Sequence, residues 1–255
     1  MINLFWIRPL AAFRSRWNVV YLSGSGYTPA AGSGKHTHLN GGQGLVNSGN
    51  DAGTLYELGW LASDDSNLAP TNTNLGSCSP YSTWTNSVGS QENLPMNCAN
   101  WWESYAFCIW DGGFLPSESE WEYAAAGGAQ EREYPWGSTA PGMANTYAIY
   151  GCDYPSSSGT CSNVTNFAPV GTATQGAGLY GQLDLVGNVW EWNLDWYNTS
   201  YVSPCTDCAY LTAASDRVVR GSGFGYLSSN LLPPARNFSL SGRYYYLGLR
   251  CARTP

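Results

Sequence analysis

The sequence predicts an α+β fold that is loop-rich, low in regular secondary structure and crosslinked by disulfides. Three observations carry this expectation. Charged residues make up only 11% of the 255 residues, against roughly 25% in typical soluble proteins; Gly, Ser, Thr, Asn and aromatics take their place. Eight cysteines, an even number, are spread along the chain. Two short helical patterns stand among apolar runs of strand length. A chain with so few charges cannot fold as a charged helical bundle, so its polar loops must be held by turns, hydrogen bonds and crosslinks. Its length is enough for a single domain with a sizeable core.

Residues 1–30 are poorly patterned. "MINLFWIRPLAAFRSRW" is apolar, but it has no basic start, and Arg8 and Pro9 interrupt its apolar run, so it does not read as a clear signal peptide. A truncated or misread start is the expectation. Residues 31–100 are rich in Gly, Asn and Ser and too long for one connection. They are either an elaborated loop region of the same domain or partly flexible. Within them "KHTHL" puts His36 and His38 two apart. No third histidine exists to complete a metal site, and the two are read as a solvated loop pair.

The first helix is "WWESYAFCIWDGG", ended by Gly112 and Gly113. The second is "LPSESEWEYAAAGG", where Ser117 is an N-cap with Glu120 three residues on, the pattern of a capping box; Gly127 and Gly128 stop it. Glu118, Glu120 and Glu122 read as capping and surface groups. Short strands follow at "FAPVG", "NVWEWNLDWY", "RVVRG" and "YLGLRCAR".

Composition also excludes partners. The net charge is -7 and Lys35 is the sole lysine; without a basic patch, nucleic acid is not an expected partner. No run approaches the ~18 apolar residues of a membrane span. There is no G-x-S-x-G elbow and no P-loop. The cysteines lack paired CxxC…CxxC spacing, which argues against structural zinc and for disulfides formed in an oxidising, extracytoplasmic compartment. "CTDC", Cys205 to Cys208, lies in a Pro/Thr/Asp loop outside any βαβ unit and reads as a local crosslink rather than a redox pair.

The segments "NWWESYAFCIWDGGFLPSESEWEYAAAGG", "YPWG", "APVG", "GLYGQLDLVGNVWEWNLDWY", "RVVRG" and "LGLRCAR" occur in an order that resembles the formylglycine-generating enzyme (sulfatase-modifying factor) family, over about residues 93–255. The resemblance implies a C-type-lectin-like variant fold and one domain over 31–255. Active members oxidise a sulfatase cysteine to formylglycine with oxygen and a copper(I) ion held by two thiolates, soft ligands that suit that ion. Set against the family pattern, "RVVRGSGFGYLSSNLLPPAR" places Tyr226 and Leu231 at the two thiolate positions and Gly223, with Ser222 beside it, at the oxygen-pocket serine. Trp190 is retained. No cysteine lies between Cys208 and Cys251, so copper is not expected.

The resemblance further implies a Cys108–Cys251 disulfide. The other pairings stay open, with Cys152–Cys161, Cys205–Cys208 and Cys78–Cys98 the neighbouring choices. It implies calcium at Asp184, Gly187, Val189 and Glu191, which mix carboxylate with backbone carbonyl as calcium requires, and a weaker second calcium at Asn145 and Thr146. The expected function is a non-catalytic module that binds a peptide, glycan or protein in a cleft formed by Ser222, Tyr226, Arg236, Arg243 and Tyr245. Phe238, Tyr244 and Tyr246 are also well placed in sequence to line it. The alternative is an active family oxidase working through a different site.

Overall fold

The computed structural model describes residues 3–7, 27–49, 55–156, 159–201 and 203–254. Its centre is strand β3 (Trp190–Trp196), buried along nearly all its length. "WEWNLDW" alternates apolar and polar residues at every position, yet its polar positions Glu191, Asn193 and Asp195 are buried as fully as its apolar ones. Asp195 accepts the Glu118 N–H and the Tyr210 N–H, both at 2.7 Å, whereas the buried Asn193 side-chain amide has no hydrogen-bond partner.

β3 pairs antiparallel with β5 (Arg217–Arg220), Trp192 opposite Val219, and parallel with the short β7 (Leu247–Gly248), Trp190 opposite Leu247. β6 (Arg236–Ser239) lies outside β5, giving the order β6-β5-β3-β7. Two smaller sheets flank this one. β1 (Asn3–Ile7) runs antiparallel to β8 (Arg250–Arg253), and β2 (Val46–Asn47) runs parallel to β4 (Cys208–Ala209). β1 falls within the segment that the sequence left unpatterned.

A four-residue turn of helix, α1 (Asn72–Leu75), precedes the two expected helices. α2 (Trp101–Trp110) starts at a capping box: Asn100 accepts the Glu103 N–H at 2.8 Å, and Glu103 accepts the Asn100 N–H at 3.2 Å. It buries Trp101, Tyr105, Phe107 and Cys108 against Trp190, Trp192, Leu247 and Leu249 in the main core. α3 (Glu118–Ala125) carries the capping box expected at Ser117, whose hydroxyl accepts the Glu120 N–H at 3.2 Å.

All eight cysteines are paired: Cys78–Cys98, Cys108–Cys251, Cys152–Cys161 and Cys205–Cys208. Cys108–Cys251 ties α2 to β8. Four disulfides are consistent with an oxidising, extracytoplasmic location. Among the described residues no helix is long and apolar enough to cross a membrane.

Two expected elements form differently. "FAPVG" is not a strand. The Asn188 side chain takes the place of a strand neighbour, donating to the Ala168 carbonyl at 3.0 Å and accepting its N–H at 3.2 Å. "YLGLRCAR" is split at Leu249 into β7 and β8, which belong to different sheets. The described part of 31–100 is an elaborated loop region packed on the core through Leu45, Trp60, Leu75 and Trp84.

His36 is not solvated. It is fully buried, with Nδ1 3.0 Å from Glu57 and Nε2 3.0 Å from Glu120. Burial by itself would lower its pKa, but the two carboxylates outweigh this and raise it to about 9. Glu120 is therefore an internal ion-pair partner as well as a cap. Glu118 and Glu122 are also paired, with Arg236 and Arg220.

Candidate functional site

β5 runs directly into the Gly221–Tyr226 loop, and backbone hydrogen bonds fix that loop on both sides. Gly221 accepts the Gly187 N–H at 2.6 Å, Phe224 donates to Asn188 at 2.9 Å and accepts from Cys152 at 2.7 Å, and Tyr226 accepts from Gly151 at 2.9 Å. The chain turns through left-handed φ at Gly221 (94°) and Ser222 (68°). A β-carbon on Gly221 would meet the Leu185 carbonyl at 2.7 Å, so no other residue fits there without a shift. At Gly225 a β-carbon would come 3.1 Å from Cys161 Sγ, which places the Cys152–Cys161 disulfide directly against the loop.

The loop forms one wall of a cleft of ≈ 190 Å³ lined by Tyr81, Cys161, Phe224, Gly225, Tyr226, Tyr245 and Tyr246. Tyr245 stacks on Tyr81 with ring centroids 4.6 Å apart, and Tyr226 meets Trp190 edge-on at 5.3 Å. Burial pushes the Tyr226 and Tyr246 phenols up from their ordinary value, so both stay protonated at neutral pH. Among the described residues no ionised group lines the cleft. It offers aromatic faces and neutral hydroxyls, with room for one side chain or a single sugar ring. Adaptable binding surfaces favour this combination of Tyr with Gly and Ser.

The expected site residues divide. Tyr226 and Tyr245 line the cleft, and Gly223 and Trp190 pack behind it, a β-carbon on Gly223 reaching Trp190 at 3.3 Å. Ser222 is fully buried; its hydroxyl and the Trp190 indole N–H have no hydrogen-bond partner. The Trp190 N–H lies near the Tyr226 phenol and partly offsets the effect of its burial, without hydrogen-bond geometry. Leu231 is elsewhere, in a separate cluster with Trp121, Ala125, Ala148 and Val186, so Tyr226 and Leu231, the residues expected at the thiolate positions, do not face one another across the cleft.

Arg236 and Arg243 are also outside the cleft. Arg236 grips Glu118 at 2.8 and 2.6 Å. Arg243 is bound to both oxygens of Glu103 and to the Cys98 and Ala69 carbonyls. Each is drawn off by a buried acid: Arg243 pairs with Glu103, and Arg236 shares Glu118 with Arg220. Phe238 packs on Tyr197 on β6, and Tyr244 stacks on Tyr246. Tyr81 and the Cys152–Cys161 pair were not foreseen as cleft residues, because they come from distant loops with no motif of their own.

The calcium candidates divide in the same way. Glu191 has both oxygens engaged by Arg250, at 2.8 Å each, and one also by the Trp121 N–H at 2.7 Å. The Asp184 carboxylate accepts the Gly171 N–H at 2.6 Å, and its carbonyl accepts from Arg250 at 2.7 Å. Gly187 is a tight left-handed turn, φ 87°, and Val189 is core. The positive charge here is the Arg250 guanidinium, and the donor set as arranged does not fit a cation. At the second position Asn145 donates to the Asp153 carbonyl at 3.3 Å, while its buried Oδ1 has no hydrogen-bond partner. Asp153 is itself buried, so the orphaned amide oxygen belongs to a side chain that contacts the backbone of a buried acid.

The sulfatase-modifying factor enzyme 1-like domain family matches residues 26–255. The formylglycine-generating enzyme of Mus musculus is 35% identical over 141 residues, 54% of this chain and 37% of that protein. The inactive C-alpha-formylglycine-generating enzyme 2 of Bos taurus is 36% identical over 114 residues, 44% of this chain and 37% of that protein. The matched part thus spans little more than a third of either relative. Among solved structures, PvdO from Pseudomonas aeruginosa superposes with a TM-score of 0.51 at 22% identity, covering 66% of this chain and 65% of that one, a likeness of fold.

Proposed function

The chain belongs to the sulfatase-modifying factor enzyme 1-like family, and from that premise we propose that it is a non-catalytic, extracytoplasmic member that binds an uncharged group of a peptide, glycan or protein in the aromatic cleft. One observation carries the reading. Every cysteine in the chain is engaged in a disulfide, and by the family's sequence pattern Tyr226 falls where the first copper thiolate is expected. No thiolate pair is left to hold copper(I). Similarity to a relative named as inactive supports the same reading.

A calcium ion is part of the proposal. Asn145 Oδ1, the Thr146 carbonyl and Asp153 would hold it, and its role would be to fix the loop that carries Cys152 against the cleft. Calcium takes six to eight oxygen ligands, so further carbonyls would be needed.

The test has two arms. Copper(I) binding and oxygen-dependent oxidation of a Cys-x-Pro-x-Arg peptide are measured on the purified chain; neither is expected, and stoichiometric copper with turnover would overturn the reading in favour of an active oxidase. Glycan and peptide arrays are then probed with wild type, Tyr226→Ala and Tyr245→Ala. Retained array binding in both variants would remove the cleft from the function.

A further inference from the structure

A second pocket, of ≈ 320 Å³, is lined by α3 and by the Cys205–Cys208 loop. Its size is at the lower end of small-ligand sites, roughly 300–1,000 Å³. Glu120 lines it. Glu120 Oε2 is used twice, accepting the Ser117 N–H at 2.8 Å and facing His36 Nε2 at 3.0 Å. Oε1 has no hydrogen-bond partner, although the side chain is only 8% exposed. A carboxylate oxygen withdrawn from water without a donor is costly; it has almost no surface of its own, so a turn of the carboxylate is what would present it to a ligand in the pocket.

The charge balance defines the ligand's sign. Protonated His36 lies between Glu57 and Glu120, leaving one net negative charge, and Asp207 on the rim adds another. No Lys or Arg is among the described residues that line the pocket. A helix N-terminus ordinarily attracts anions, but here its amides are taken: the Glu120 N–H by the Ser117 hydroxyl and the Glu118 N–H by Asp195. A metal ion is not supported, since one free carboxylate oxygen is far short of a coordination shell.

The walls define the ligand's body. Leu39, Leu45 and Ala124 are apolar. At the mouth stand Tyr123 and Tyr180, 57% and 39% exposed, with rings within 13° of parallel. Tyrosine faces attract cations electrostatically.

The geometry points to a binding site for a small organic ammonium ion, its charged head at Glu120 Oε1 and its hydrocarbon against Leu39, Leu45 and the Tyr123–Tyr180 pair. Isothermal titration of the full chain with 2-phenylethylammonium, 2-phenylethanol and 3-phenylpropionate tests it. The ammonium is expected to bind about tenfold more tightly than either isostere. Glu120→Gln should lose that preference. Because Glu120 also caps α3 and pairs with His36, Tyr123→Ala and Asp207→Asn are measured in parallel; both lie at the surface, and each should weaken the ammonium several-fold. Equal affinity for the three compounds, no saturable binding, or unchanged binding in Tyr123→Ala and Asp207→Asn would overturn the site.

Discussion

Arg250 grips Glu191 with two hydrogen bonds at the centre of the fold, Nε to Oε2 and Nη2 to Oε1, each 2.8 Å, and both side chains are fully buried. The Trp121 indole N–H and the Leu183 and Asp184 carbonyls add to these contacts. Burial pushes the Glu191 carboxyl up, and Arg250 opposes the shift. Arg250→Met would leave that carboxyl buried without its cation, at a cost of about 3–5 kcal/mol. The urea midpoint should fall accordingly, and the double variant Glu191→Leu/Arg250→Met should recover part of the loss.

His36 predicts a pH dependence. Its pKa is about 9 in the fold and about 6.5 in an unfolded chain. The stabilisation is fully present below about pH 6.5 and is lost as the pH rises through 9, at no more than roughly 1.4 kcal/mol per pH unit. His36→Gln should flatten this window in denaturation curves. Comparing wild type with the variant separates His36 from Asp195, whose carboxyl is raised to about 7 by burial and by Glu118.

The Cys108–Cys251 bridge spans a separation of 143 residues, and Cys205–Cys208 spans 3. In the chain-entropy model the first contributes about 5 kcal/mol and the second about 2. Replacing each pair by alanine should reproduce that order in unfolding midpoints.

Gly187 has φ 87°, and a β-carbon there would come within 2.6 Å of the Ile149 carbonyl oxygen and 2.9 Å of its nitrogen. Gly187→Ala should cost ~2 kcal/mol or more. Gly142→Ala, also at positive φ but in open space, should cost only the backbone strain of about 1–2 kcal/mol. The difference in melting temperature measures the close approach alone.

Calcium at Asn145 would stabilise the native state by about 2.7 kcal/mol at a hundredfold excess over Kd. The melting temperature should rise with calcium and return with chelator. In Asn145→Ala and Asp153→Asn the rise should be absent. A calcium-independent melting temperature in wild type would remove the ion from the proposal.

Much of this was legible because it is local. The Ser117–Glu120 capping box needs only a three-residue spacing, and the helix ends need only glycine. The His36 misreading shows the limit. Its partners are 21 and 84 residues away, and nothing in "KHTHL" signals them. Arg236 and Arg243 fail as cleft residues for the same reason: their carboxylates, Glu118 and Glu103, lie on the two helices, more than a hundred residues earlier.

The sequence by itself determined the family, the loop-rich α+β character, both main helices and the absence of a cysteine from the Arg217–Arg236 segment. Those are matters of residue type and short spacing. Only the tertiary structure decided which charges meet. It gave Glu191 to Arg250 and His36 to two glutamates, sent Leu231 into a different core cluster from Tyr226, and brought Tyr81 against Tyr245. The physical reason is that a buried charge or an aromatic face takes its partner from whatever segment the fold delivers within a few ångströms, and chain distance does not enter that choice.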